Sequence, residues 1–168
     1  FEDALALAQK LGYAERNPSA DIDGHDACRK ICILASLAFG RHVYPDQVHT
    51  EGISQVSAAD VRYAAAWGGA IKLIGRAVKR PDGKLYAVVS VSYTHLTLPT
   101  LYAVGSPMLL PKTSLLADVS GVFNGIMVRG DAIGDVVFYG QGAGKLPTAS
   151  AVVADIIDEA KHLGARKY

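Results

Sequence analysis

Four acidic residues, Glu15, Asp21, Asp23 and Asp26, crowd into the stretch from Tyr13 to Lys30, and Lys30 follows Asp26 by four positions. Residues four apart share one face of a helix, so a carboxylate and an ammonium meet there. In a cleft such a pair is raw material for acid–base chemistry. On an open surface it is an ion pair worth about 0.5 kcal/mol. Asp21 or Asp23 stands just before the helical pattern, where a carboxylate can cap free N–H groups, so a capped helix with a surface pair remains open as an alternative. A second stretch, Gly140-Gln-Gly-Ala-Gly144-Lys145, is rich in glycine. It lacks the third glycine of a dinucleotide fingerprint, since Lys145 occupies that place, and Leu146 stands where a P-loop needs Ser or Thr. What is left is a strand-to-helix turn whose bare N–H groups can approach a ligand, or a turn that simply needs positive φ.

The elements that must position these residues follow from periodicity. Phe1, Ala4, Leu5, Ala8 and Leu11 fall on one stripe, an amphipathic helix stopped by Gly12. Over 26–39 the spacing predicts a second helix, apolar nearly all round from Ile31, with that half buried and Gly40 ending it. Residues 41–53 read as a connector, extended near Val43 and Pro45, in which His42 and His49 lack a spaced partner and read as ordinary loop histidines. Ser57-Ala-Ala-Asp60 is a capping box that opens a helix through Trp67. Two β-rich runs, 70–80 and 85–91, flank Pro81-Asp82-Gly83-Lys84, a hairpin signal. Residues 114–120 read as a short helical turn, and 119–129 and 135–139 as strands around a glycine-bounded turn. Thr148 or Ser150 is the expected cap of a closing helix through His162, ended by Gly164. Together they predict an α+β fold, a mixed, largely antiparallel sheet covered by helices on one face.

Composition narrows the function classes. A chain of 168 residues suits one domain, and a net charge of +1 makes no electrostatic case for nucleic acid or an anionic membrane surface. No apolar run approaches the roughly 18 residues that span a bilayer, and no signal peptide is recognised. Cys28 and Cys32, one turn apart, read as core thiols in a reducing cytoplasm; no metal site is expected. Phe1 opens directly into helical periodicity, as expected of the middle of a longer polypeptide.

Several motifs in order now stand on the page. Gly12-Tyr-Ala-Glu15, Pro18, Asp21, Gly24, Asp26 and Lys30, then Ile33-Leu-Ala35, resemble the substrate-site signature of homoserine dehydrogenase. The resemblance continues at Glu51-Gly-Ile53, Ile71-Lys-Leu-Ile74 and Gly121-Val-Phe-Asn-Gly-Ile126, and closes with Tyr139 to Gly144 and Pro147-Thr-Ala-Ser-Ala-Val152. It implies reversible reduction of aspartate 4-semialdehyde to homoserine by NADP or NAD chemistry. Hydride addition to an aldehyde leaves charge on oxygen, so Lys30 is the expected proton donor and Asp26 its tuning partner. Glu15 and Asp21 are the matching positions for the substrate's ammonium; Asp23 falls outside the pattern and is read as a helix cap, and Lys72 receives no catalytic role. Gly144, with Gly142 and Ala143, is the expected cofactor contact.

The same resemblance implies a homodimer paired through the sheet, and a division into residues 1–146, the substrate-binding and dimerisation part, and 147–168, a helix returning to a nucleotide-binding domain that lies upstream. That domain would hold most of the cofactor, and a monovalent-cation site would draw on its residues. The closing helix should then expose Val152, Val153, Ile156 and Ile157. One stretch departs from the pattern. Leu85-Tyr-Ala-Val-Val-Ser90 is nearly repeated as Leu101-Tyr-Ala-Val-Gly-Ser106, sixteen positions later, and excising about 91–106 restores the expected strand and proline-bounded loop. That segment is expected to be an insertion or an assembly artefact. The other reading of the whole chain is a non-catalytic oligomerisation or ligand-binding module with a decayed site; intact Glu15, Asp21, Asp26 and Lys30 argue against it.

Overall fold

A computed structural model describes residues 2–12, 14–91, 108–142 and 144–165. In chain order the elements are α1 (Glu2–Lys10), α2 (Ser19–Ile22), α3 (His25–Phe39), a 3-10 turn (Pro45–Gln47), β1 (His49–Thr50), α4 (Ala58–Ala66), β2 (Gly69–Lys79), β3 (Leu85–Val91), β4 (Met108–Pro111), β5 (Phe123–Gly130), β6 (Gly134–Gln141) and α5 (Lys145–Ala165). The α+β class and the largely antiparallel pairing are as expected: one parallel pair, β1 with β3, joins antiparallel pairs in the order β1-β3-β2-β4. The predicted capping box is present, with the Asp60 N–H donating to Ser57 Oγ and the Asp60 carboxylate accepting from the Ser57 N–H. So is the hairpin, in which β2 and β3 turn through Pro81 to Lys84.

The core forms where α3 lies across β2 and β3. Cys28, Ile31, Cys32 and Ala35 pack with Val43, Val48 and the fully buried Val89. Each large aliphatic side chain withdrawn from water there contributes about 1.5–3 kcal/mol. Gly75 lets the helix come close, because a Cβ on it would lie 3.0 Å from Ile31 Cβ. Only one stripe of α3 is used. Ile33 and Leu37, expected to be buried, are 60% and 77% exposed, since a helix lying on one sheet covers one face and leaves the other.

The register of β2 carries the imprint of the repeat. Leu73 faces Val91 of β3 while its neighbour Lys72 faces Met108 of β4, so adjacent residues of β2 pair with residues on either side of a sixteen-residue gap. The expected insertion at 91–106 lies, except for Val91, outside the described residues; its flanks, β3 and β4, each pair antiparallel with β2 on adjoining stretches of it.

Three expectations are corrected. Among the described residues the strands form two sheets, since β5 and β6 there pair only with each other, with Phe123 stacked on Tyr139 at 4.8 Å. Residues 114–120 form successive turns closed by Ala117 N–H to the Ser114 carbonyl and Val119 N–H to the Leu116 carbonyl, and no helix. The closing helix begins at Lys145 and runs past Gly164, with Pro147 in its first turn, where a missing N–H costs nothing. Thr148 is therefore inside the helix, its hydroxyl donating to the Gly144 carbonyl at 2.9 Å. The expected boundary at residue 147 thus falls within α5. Exposure of Val152, Val153, Ile156 and Ile157 is as expected, and every residue from Thr148 to Gly164 is exposed.

Candidate active site

Asp26 sits in the first turn of α3 and Lys30 in the second, with Asp26 Oδ2 and Lys30 Nζ 2.6 Å apart. The core stripe of the helix holds its opposite side, so the pair faces outward, its side chains 40% and 61% exposed. Positions 26, 30, 33 and 37 follow one another at helical spacing, which places the ion pair and exposed Ile33 and Leu37 on the same outer stripe. The head of this face is charged and its tail is apolar.

The acid-bearing stretch before α3 is more ordered than a loop. It folds back on α1 through Ala14 N–H to the Ala8 carbonyl and through Gln9 Nε2, which donates to the Glu15 carbonyl at 3.0 Å. Asn17 Oδ1 accepts from the Ser19 N–H at 3.3 Å at the start of α2, a short helix that periodicity does not reveal. Asp21 lies on α2, and both Asp21 and Glu15 are exposed. Among the described residues neither carboxylate has a hydrogen-bond or ion-pair partner, so both are available to a ligand's cation.

The capping expectation for Asp21 and Asp23 fails. The residue before α3 is Gly24 at φ 79°, no side chain caps the helix, and Asp23 ends α2. A left-handed residue is needed to turn α2 into α3 in one step, which glycine supplies at no steric cost.

The Glu51-Gly-Ile53 segment supports this corner. Its Glu51 N–H donates to the Val89 carbonyl at 2.9 Å, tying it to the buried strand. Its Ile53 N–H donates to the Ile22 carbonyl at 2.7 Å, tying it to α2. Sequence reasoning gave the segment no role; its glycine, set between two strand-like neighbours, was the signal. His49 also gains a partner, its Nε2 lying 3.1 Å from Glu51 Oε1, because residues two apart in extended chain share a side. His42 packs on Tyr44, ring centroids 4.2 Å apart. On another flank of α3 a cavity of about 420 Å³ is lined by His25, Cys28, Arg29, Asp46 and His49. Cys28 and Cys32 are free and buried, and burial pushes the Cys32 thiol up, with Cys28 adding to the effect.

The glycine-rich turn joins β6 to α5 as expected. Gly144 adopts φ 118°, and Gly142 donates its N–H to the Val122 carbonyl at 2.8 Å. A Cβ on Gly142 would collide with the Asn124 carboxamide, so here glycine is required by close packing. Ala143 lies outside the described residues. Among the described residues no hydrogen bond or ion pair links this turn to Asp26, Lys30 or the acids before them. The structure therefore unites Asp26 with Lys30, sets α2 against α3, and leaves the turn as a separate feature.

Comparison with known proteins finds relatives over nearly all of the chain. The family described as homoserine dehydrogenase matches residues 1–157. A homoserine dehydrogenase of Pseudomonas aeruginosa is 46% identical over 94% of this chain and 32% of its own length, and one of Synechocystis sp. is 49% identical over 94% and 34%. The crystal structure of a homoserine dehydrogenase from Thiobacillus denitrificans superposes with a TM-score of 0.82 at 42% identity, over 98% of this chain and 34% of that one. A hyperthermophilic archaeal homoserine dehydrogenase in complex with NADPH superposes at 0.65 with 29% identity. The chain thus spans about a third of the length of the relatives it matches. With its acid-bearing α2, its Asp26–Lys30 pair and this match across nearly all its length, the chain belongs to the homoserine dehydrogenase family.

Proposed function

We propose that this chain is the substrate-binding and dimerisation portion of an NADP- or NAD-dependent homoserine dehydrogenase, reversibly reducing L-aspartate 4-semialdehyde to L-homoserine. The carrying observation is the Asp26–Lys30 pair at 2.6 Å on an open helix face, with the exposed carboxylates of Glu15 and Asp21, unpaired among the described residues, before it in the chain. Lys30 donates a proton to the carbonyl oxygen as charge develops there, and withdraws it in the reverse direction. Asp26 holds the ammonium in place through the ion pair. Glu15 and Asp21 receive the substrate's α-ammonium, which fixes the aldehyde end relative to Lys30.

A nicotinamide cofactor, when bound, supplies the hydride. The turn at Gly140 and Gly144 leaves room for a flat ring to approach backbone, since a Cβ at Gly140 would meet nothing within 4 Å and one at Gly144 only Pro147, whereas the bare face of Gly142 is filled by Asn124. Most of the cofactor, and any monovalent cation, would be held by the portion of the relatives that this chain does not span. The exposed apolar residues of α5 and of the outer stripe of α3 are the surfaces expected to meet that portion, while the sheets pair two copies into a homodimer. Among the described residues no helix is long and apolar enough to cross a membrane. The free buried thiols of Cys28 and Cys32 suit a reducing compartment, and on that ground we place the enzyme in the cytoplasm.

The test joins the chain to the nucleotide-binding portion of the Pseudomonas aeruginosa relative and follows NADPH oxidation with aspartate semialdehyde. Turnover that Lys30→Ala abolishes without changing NADPH affinity supports the assignment; a Lys30→Ala rate equal to the unmodified one refutes it. The 168 residues alone are expected to show negligible turnover.

A further inference from the structure

Two glycines cross back to back beside the active-site helix. A Cβ on Gly24 would lie 2.7 Å from the Glu51 carbonyl oxygen, and a Cβ on Gly52 would lie 2.1 Å from the Ile22 carbonyl oxygen and 2.6 Å from Asp23 Cα. The obstacles are backbone atoms on both sides, so no side-chain rotation relieves them. The crossing is fastened by the Ile53 N–H bond to the Ile22 carbonyl and anchored to the core by the Glu51 N–H bond to Val89. Gly52 has no positive φ, so its need for glycine comes from this approach alone.

The two carboxylate-bearing and proton-transferring parts of the site are held differently. α3, with Asp26 and Lys30, is seated by its own buried stripe on β2 and β3. α2, with Asp21, has no buried residue and rests on the crossing. Any widening at Gly52 therefore moves Asp21 while Asp26 and Lys30 stay where the core puts them.

We propose that Gly52 is a positioning residue that sets substrate affinity: it fixes the distance from the ammonium-binding carboxylate on α2 to the proton-transferring pair on α3. This rests on the functional assignment above. It separates two quantities that a general loss of stability would not separate, because a displaced Asp21 weakens ground-state binding while Lys30 keeps its place.

The test is Gly52→Ala in the joined protein described above. The expected result is a KM for aspartate semialdehyde raised about tenfold or more, a kcat reduced by less than about threefold, and an unchanged KM for NADPH. Unchanged constants, or a fall confined to kcat, would overturn the proposal. Hydrogen exchange on the same pair of proteins gives a readout that does not depend on activity. Faster exchange across Ser19 to Gly24 with Cys28 to Ala35 still protected supports the crossing as the seat of α2; equal loss in both, or in neither, overturns it. If the unmodified joined protein fails to turn over, the functional assignment falls while exchange still decides the crossing. Should Gly52→Ala not fold, Ile53→Pro, which deletes the N–H bonded to Ile22, is expected to give the same exchange pattern and the same division between KM and kcat, and its absence counts against the proposal.

Discussion

Asp26 Oδ2 and Lys30 Nζ meet at 2.6 Å across one turn of α3 on the side of the helix that the core does not use. Because both side chains are partly in water, the pair adds little to stability, about 0.5 kcal/mol or less. Its value lies in presenting an ammonium of fixed position. In the joined protein Lys30→Ala should lower kcat by about 10²–10³-fold, with the melting temperature nearly unchanged. Asp26→Asn should lower kcat less, since the amine remains. Steady-state kinetics with a thermal melt checks both.

Glu15→Gln and Asp21→Asn should act on binding. Each removes an exposed carboxylate that has no partner among the described residues, so folding should change by no more than about 0.5 kcal/mol. The KM for the amino-acid substrate should rise roughly tenfold or more as a charge-assisted contact is lost. Titration with homoserine, which carries the same ammonium, measures this directly.

Cys32 is buried beside Cys28, and burial raises its pKa above its ordinary value near 9.0. Its thiol releases a proton more readily when unfolded than when folded. The stabilisation is therefore fully present below about pH 9 and is lost as pH rises through the folded value. Denaturant melts between neutral and alkaline pH should show this decline, and Cys32→Ser, which puts a hydroxyl into the apolar core, should cost about 1–3 kcal/mol.

Arg129 and Asp135 face each other across β5 and β6, with Arg129 Nε 2.5 Å from Asp135 Oδ1 and its NH2 group 2.7 Å from Oδ2. The hydrogen bonds from Arg129 hold the Asp135 carboxyl below its usual range. The contribution is present above the unfolded carboxyl value and disappears as pH falls through the folded one. Both groups are exposed, so added salt should weaken the pair. A carbon-detected titration of Asp135 should show a depressed midpoint that Arg129→Ala restores.

Removal of residues 91–106 should leave both pairings of β2 in place, since Ile74 to Lys79 pair with Leu85 to Ser90 and Gly69 to Lys72 pair with Met108 to Pro111. Shortening the connection between these partners by that many residues should raise stability by roughly 1–2 kcal/mol. Loss of folding in the deleted chain would show instead that the segment is native architecture. Independent resequencing of the source DNA separates an artefact from a genuine insertion.

The parts of this protein that obey local rules were legible from its residues. The Ser57–Asp60 box, the Pro81–Lys84 hairpin and the Asp26–Lys30 spacing each depend on neighbours in sequence, and each forms as read. What escaped depends on distant backbone. Asp23 looked like a cap because it is acidic and precedes a helix, yet Gly24 must turn left-handed there, with a strand-end segment packed against it. Ile33 and Leu37 looked like core because they are apolar, but how many faces a helix buries is set by what lies around it. No periodicity could show α2, whose four residues rest on the Ile53 contact from thirty-one positions downstream of Ile22.

The two near-identical segments, Leu85 to Ser90 and Leu101 to Ser106, are rival candidates for one place beside β2 during folding. The earlier one needs only the short Pro81 turn to close, and the later one needs a loop about four times longer, a disadvantage of about 1 kcal/mol. They differ at a single position, valine at 89 against glycine at 105. Val89 is the side chain with 0% exposure at the centre of the core, so the later copy would leave that place empty. Misregistered folding is thereby disfavoured twice, by chain entropy and by one missing isopropyl group. Val89→Gly would remove the second of these safeguards, and would make the two segments identical in sequence.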